Sequence, residues 1–264
     1  MAKVISVSNR KGGTGKTTTT VNLACELAVR DKKTLVIDLD TQANATLGLG
    51  VLPNRNLPTV HSLFFSKDDM SLEKAVLKTQ WENLYLVPAD PLFEHGLVLD
   101  KRKLKNELIK SGLLEDFEFI LIDTPPSLDS LLLNALIASH YVLIPFLPHF
   151  LSIEGIKSLV RVFFKIATAE NPSLKLLGFV PVMINQRVHQ HRRVIEVISN
   201  QFGVNRVFSG IRSDIKLVEA FENHMPVKFY APKSRGSIDY EVLADEVLKE
   251  IERREKYTFG FKAF

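Results

Sequence analysis

The sequence predicts an α/β fold: a doubly wound, mostly parallel sheet with helices on both faces, built as one domain over residues 1–264. Three observations predict it. Apolar runs of strand length alternate with amphipathic stretches of helical period, the order that a parallel sheet with crossover helices requires. Runs such as Phe-Ile-Leu-Ile at 119–122 are apolar throughout instead of alternating, as expected of strands buried on both faces. A length of 264 residues with 45% hydrophobic and 24% charged residues supports a sizeable core and excludes disorder and small stapled scaffolds.

Taken in order, residues 4–7 form the first strand, entered from Met1 without the charged-then-apolar build of a leader peptide. Residues 17–30 form a helix behind a glycine-rich loop, and 34–37 a second strand that ends in acids. Residues 52–58, with two Pro and two Asn, read as a surface loop. Strands at 84–87, 119–122, 141–144 and 176–183 then alternate with helices at 93–110, 130–139, 153–170 and 192–202, and a helix at 240–253 closes the chain. The longest apolar region, 131–151, is broken by Asn134, His140, Pro145, Pro148 and His149, short of the roughly 18 residues of a spanning helix. A single cysteine, Cys25, excludes a disulfide framework, a four-thiolate zinc site and an iron–sulfur cluster held within one subunit, and is expected to be a buried structural thiol.

In such sheets ligands sit beyond the carboxyl ends of the strands, and the turns there carry the chemistry. After the first strand come Asn9, Arg10, Lys11, Gly12, Gly13, Thr14, Gly15, Lys16, Thr17 and Thr18, then the helix. Glycines let backbone N–H groups turn inward, the helix N-terminus favours an anion, Lys16 offers a point charge to phosphates and Thr17 a hydroxyl to Mg²⁺. The ordinary Walker A spacing puts glycine at position 10, where this chain has Arg10. It matches instead the deviant form with an added lysine, Lys11. That lysine lies on the outer shoulder of the loop, where it either meets a phosphate from a facing subunit, in the manner of an arginine finger, or is solvated.

The second strand delivers Asp38, Leu39 and Asp40. Asp40 is assigned to positioning the attacking water and Asp38 to a structural or metal-side role, with turn or capping chemistry as the bland alternative. The run at 119–122 delivers Asp123 as a Walker B acid toward Mg²⁺, and Thr124, Pro125, Pro126 and Ser127 follow as a stiff loop placed to sense the terminal phosphate.

Net charge is only +4, yet residues 184–237 hold nine Lys or Arg against four Asp or Glu. Arg187, His189, His191, Arg192 and Arg193 cluster at a strand-to-helix junction, with Arg212, Lys216, Lys233 and Arg235 downstream. Such a patch suits phosphate contacts and offers no recognition helix for reading bases; a solvated basic face is the alternative. His189 and His191 do not form a metal constellation and are expected at the surface or near DNA.

Together these residues resemble the ParA/Soj family of deviant-Walker ATPases. The resemblance spans KGGTGKTT at 11–18, DLDTQAN at 38–44, LIDTPPS at 121–127, NALIASHYVLIP at 134–145, SIEG at 152–155, IKLVEA at 215–220 and YAPKSRG at 230–236. It implies ATP and Mg²⁺ as cofactors and an ATP-bound sandwich homodimer in which Lys11 crosses to the partner's phosphates. It also implies hydrolysis that depends on Asp40, non-specific double-stranded DNA as a partner, and a ParB-like protein that stimulates reset. Nucleotide contact then falls to residues 11–18 with Arg212 and Asp214 at the base, where the family's usual Pro and Asn are absent. The metal falls to Thr17, Asp38 and Asp123. DNA contact falls to Arg187 and Lys216 by the resemblance, and to Arg192, Arg193, Lys233 and Arg235 by the basic patch itself.

Leu147 and His149 depart from the glutamine and acid common in close relatives. No helix-turn-helix segment precedes the first strand, so operator binding is not expected. The resemblance implies a cytoplasmic, nucleoid-associated protein. A MinD-like membrane ATPase is the alternative, but the tail at 253–264, with Gly260 and alternating aromatics, reads as an extended segment packed on the body. A ligase akin to dethiobiotin synthetase fits the loop but not the later basic motifs.

Overall fold

The computed structural model describes residues 1–54, 57–65, 71–94 and 100–260, with side chains to residue 256. Its strands are β1 (Lys3–Val7), β2 (Thr34–Asp38), β3 (Leu77–Lys78), β4 (Leu84–Val87), β5 (Phe119–Asp123), β6 (Tyr141–Phe146) and β7 (Lys175–Pro181). They form one sheet in the order β3-β4-β2-β5-β1-β6-β7, parallel throughout except for β3 on the edge. Every residue of β2, β5 and β6 is buried, which is why those runs are apolar without alternation.

The helices, in chain order, are α1 (Lys16–Ala28), α2 (Asn44–Gly48), α3 (Ser62–Phe65), α4 (Lys103–Lys110), α5 (Leu113–Asp116) and α6 (Ser130–Ala138). They continue with α7 (Phe150–Ala169), α8 (His189–Phe202), α9 (Ile215–Glu222), α10 (Val227–Tyr230) and α11 (Arg235–Gly260). One core lies under α1 and α11, around Leu27, Val36 and Tyr240. A second lies on the opposite face under α4 and α6, around Leu35, Leu104 and Ile122. A third packs α7 and α8 against β6 and β7 through Ile156, Phe163 and Ile198. Cys25 is buried in the first core, and burial pushes its thiol far up, out of reach of physiological ionisation.

Several elements differ from expectation, among them the closing helix, which starts at Arg235 and not at residue 240. The helix expected at 93–110 is described only from Lys103, because Asp100 turns the chain: its side chain accepts from the Arg102 N–H, and buried Asn134 pins the segment by accepting from Leu104 N–H. Residues 95–99 lie outside the described residues. The helix at 192–202 starts three residues earlier, at His189. Strand β3 and helices α9 and α10 are additional to the expected elements; at two and four residues, β3 and α10 are too short to show a period. The tail is not extended through Gly260: α11 continues to that residue, supported where Glu250 pairs with Arg253 and Arg254 at helical spacing. Residues 261–264 lie outside the described residues.

Candidate functional site

The carboxyl ends of β1, β2, β5 and β7 converge on one site. β1 leads into a loop pinned at its start by Asn9, whose Nδ2 donates to the Pro145 carbonyl at 2.7 Å and whose Oδ1 accepts from Lys11 N–H at 3.0 Å. The Thr14 hydroxyl closes the turn on the Lys11 carbonyl. Gly13 and Gly15 hold φ of 68° and 73°, left-handed backbone that a side chain disfavours. Gly15 caps α1 without a side-chain acceptor, so the first-turn N–H groups of α1 remain available to an anion. Lys11 is exposed.

Lys16 is 7% exposed. Burial pulls its ammonium down while the charges of Asp123 and Asp40 hold it up, so the amine sits in the field of both acids. The fully buried Asp123 accepts from the Thr17 hydroxyl at 2.7 Å and from the Thr20 hydroxyl at 3.1 Å. Burial pushes its carboxyl up, and the Thr17 bond and Lys16 pull it back.

Parallel register sets Asp38 beside Asp123. Asp38 has no exposed surface, and its oxygens accept from Thr46 N–H and Thr46 Oγ1, both at 2.8 Å, and from Asp40 N–H at 3.2 Å. These donors make Asp38 a brace of the 38–46 loop, beside Asp123 at the carboxyl edge of the sheet. Asp40 lies in that loop, 8% exposed, with Oδ1 accepting from Gln42 N–H, and Ala43 follows in left-handed backbone at φ 53°. Thr124 is buried and donates to the Val7 carbonyl, while Ser127 is exposed and donates to Asp129, the cap of α6.

Beside the loop opens a cleft of about 580 Å³. Gly15, Thr17 and Thr18 form one end; Met183, Ile211, Phe221 and Tyr240 supply an apolar wall; Arg212 and Asp214 stand at it too. Both of those expected base contacts are therefore brought to the loop, and both are also structural. The Arg212 guanidinium grips Asp239 with its closest contact at 2.7 Å, and Asp214 caps α9. The residues that sequence reasoning missed are Thr20, Met183, Phe221 and Tyr240. Thr20 lies one helical turn beyond Lys16, and spacing alone could have found it; the apolar wall comes from three distant segments and carries no motif.

The basic residues divide by their partners. Arg206 donates to the Leu176 carbonyl, Arg212 is held by Asp239, and Lys228 by Glu26 and Glu241. Arg187, Arg192, Arg193, Lys233 and Arg235 are exposed, while half-buried Lys216 pairs with Glu219 at 2.6 Å. An isolated bridge between Ile184 and Arg212 joins the two halves of the patch, and Lys216, Lys233 and Arg235 share a groove of about 530 Å³. His191 corrects a surface expectation: it is buried, its Nδ1 accepts from Asn185 N–H at 3.1 Å, and its ring meets His149 edge-on.

Residues 2–176 match the model of the AAA domain family. The chain is similar to the sporulation initiation inhibitor protein Soj of Bacillus subtilis, at 34% identity over 94% of this chain and 98% of that one. It is similar to the chromosome partitioning protein ParA of Myxococcus xanthus, at 32% identity over 94% and 89%. Among solved structures, the cell division ATPase MinD of Pyrococcus furiosus superposes with a TM-score of 0.78 at 30% identity, covering 94% of this chain and 99% of that one. Cobyrinic acid a,c-diamide synthase of Mycobacterium smegmatis with bound ADP and magnesium superposes at 0.79 with 29% identity and 96% coverage of both.

Proposed function

The chain belongs to the ParA/Soj family of P-loop ATPases, and on that premise we propose that it is an ATP-gated DNA-binding switch that positions a large cargo. It is a positioning ATPase with ATP and Mg²⁺ as cofactors. The residues fit both. The open first turn of α1 and the Lys16 amine suit the phosphates, the apolar cleft suits a base, and the Thr17 hydroxyl, with Asp123 behind it, suits the metal. Bound magnesium supplies neutralisation of phosphate charge. Lys16 contributes a cation already desolvated and oriented, so that little reorganisation is needed as charge develops. Asp40, with one carboxylate oxygen taken by Gln42, presents the other to a water; Asp38 keeps that loop in place.

Lys11, which is exposed, serves a second subunit's phosphates, and Phe150 and Leu151, 69% and 76% exposed, offer apolar surface for a homodimer. The observation that carries the DNA reading is that Arg187, Arg192, Arg193, Lys233 and Arg235 are exposed, and that Lys216, Lys233 and Arg235 line a groove that shares Asp214 with the cleft. Arg187, Arg192, Arg193, Lys216, Lys233 and Arg235 form a surface for phosphates that a dimer doubles. A ParB-like protein then speeds hydrolysis and release, and the cycle runs on the nucleoid in the cytoplasm.

The test is binding to duplex DNA of unrelated sequence with ATP, ADP or no nucleotide, across a salt titration, in wild type and Asp40→Ala. Expected is ATP-dependent, salt-sensitive binding that persists in Asp40→Ala while hydrolysis falls about 10²-fold. No binding in any nucleotide state overturns the reading. ATP-dependent sedimentation with vesicles of anionic lipid would instead favour a MinD-like role; among the described residues no helix is long and apolar enough to cross a membrane.

A further inference from the structure

One residue borders both the nucleotide cleft and the basic groove behind it: Asp214 lines the two cavities. Its Oδ1 accepts from the Lys216 N–H at 3.0 Å, and its Oδ2 accepts from the Gly236 N–H at 2.8 Å. A single carboxylate therefore ties the first turn of α9, which carries Lys216, to the first turn of α11, which carries Arg235. The Ser234 hydroxyl, next to Lys233, bonds to the same group.

The packing around this tie is close. A Cβ placed on Gly236 would meet Leu217 Cγ at 2.8 Å, and Leu217 lines the cleft. Farther along α11, Asp239 is gripped by Arg212, and Tyr240 lines the cleft and shares a hydrogen bond with Thr19 of α1. The cleft wall and the groove are thus two sides of one α9–α11 junction. Densely packed side chains do not absorb a displacement locally. Leu217 and Asp214 thus connect the cleft to the segments that carry Lys216, Lys233 and Arg235.

We propose, on the basis of the DNA-binding reading above, that Asp214 is a positioning residue that transmits occupancy of the nucleotide cleft to the phosphate-binding groove within a single subunit. Dimerisation then multiplies a change already made in each protomer. By linkage, DNA in the groove alters nucleotide affinity through the same residue.

The test has two arms. At protein concentrations where sedimentation reports a monomer, amide hydrogen exchange is followed with and without saturating ATPγS. The Lys216 and Gly236 amides are expected to change protection together in wild type and to separate in Asp214→Ser, whose shorter side chain caps α9 but does not span to Gly236. Unchanged protection in wild type overturns the coupling whatever DNA does. In the second arm, the ratio of duplex-DNA affinity with saturating ATP to that with ADP is measured, with ATP-induced self-association checked in parallel. The ratio is expected to fall by at least about fivefold in Asp214→Ser and in Gly236→Ala, which acts from the far side through Leu217, and the effect of DNA on ATP affinity should shrink by the same factor. A ratio equal to wild type in both variants overturns the proposal. Paired protection changes in a wild-type chain that binds no duplex DNA support the coupling and overturn the DNA reading alone.

Discussion

The nucleotide end and the basic wall of this molecule are built on opposite plans. Lys16, Asp38 and Asp123 are almost wholly removed from water, and both acids are held by named donors: Thr46 and the Asp40 amide for Asp38, Thr17 and Thr20 for Asp123. Arg187, Arg192, Arg193, Lys233 and Arg235 stand in solvent. The difference teaches where one side chain is decisive. In the buried region a lost partner leaves another polar group unsatisfied, and the loss is severe. On the exposed wall each charge is screened and contributes a modest, nearly independent increment.

Mutations sharpen that contrast, the largest effect coming from the buried end. Lys16→Ala is expected to lower ATP hydrolysis by about 10²–10³-fold, measured as phosphate release, because a preoriented cation is lost. Retention of activity within tenfold would show that the amine faces Asp123 and Asp40 for structural reasons only. Asp38→Ala should destabilise the fold by about 3 kcal/mol in urea denaturation, since three donors lose their acceptor. A change below about 1 kcal/mol would break the brace assignment.

The wall should respond more gently. Arg187→Glu and Lys216→Glu are each expected to weaken ATP-dependent DNA binding by about tenfold near 0.1 M salt and to flatten the salt slope by about one contact, with ATP-induced dimerisation retained. Unchanged affinity in both would return the patch to a solvated face. The smallest effect runs the other way. Glu219→Gln frees Lys216 from its ion pair and should strengthen DNA binding by about two- to threefold, as expected for an exposed helical pair. Weaker binding would mean that Glu219 orients Lys216 instead of restraining it.

The two regions also differed in how far they could be read in advance. The phosphate loop was legible because its parts are consecutive: one strand, Gly13 and Gly15 in left-handed backbone, and one helix start fix Lys16 and Thr17 without distant help. Asp123 was legible because a buried parallel strand that ends in an acid delivers that acid to the carboxyl edge of the sheet, where ligands bind. The structural part of Asp38 was readable only as one of two alternatives, since its donors include Thr46, on another element. The burial of His191 was not legible because periodicity cannot say that His149, from another connection, packs against it while Asn185 N–H bonds to its ring.

Amino-acid order therefore determined the sheet class, the phosphate loop and the acids at the strand ends, since these follow from alternating apolar runs and from short spacings along one backbone. Tertiary structure alone decided which of nine cations between residues 184 and 237 are engaged by internal partners, and it alone joined Met183, Phe221 and Tyr240 into a cleft wall. It also set Asp214 between two helix starts. Those outcomes depend on where α9 and α11 pack against each other, and packing between segments far apart in the chain leaves no local period to read.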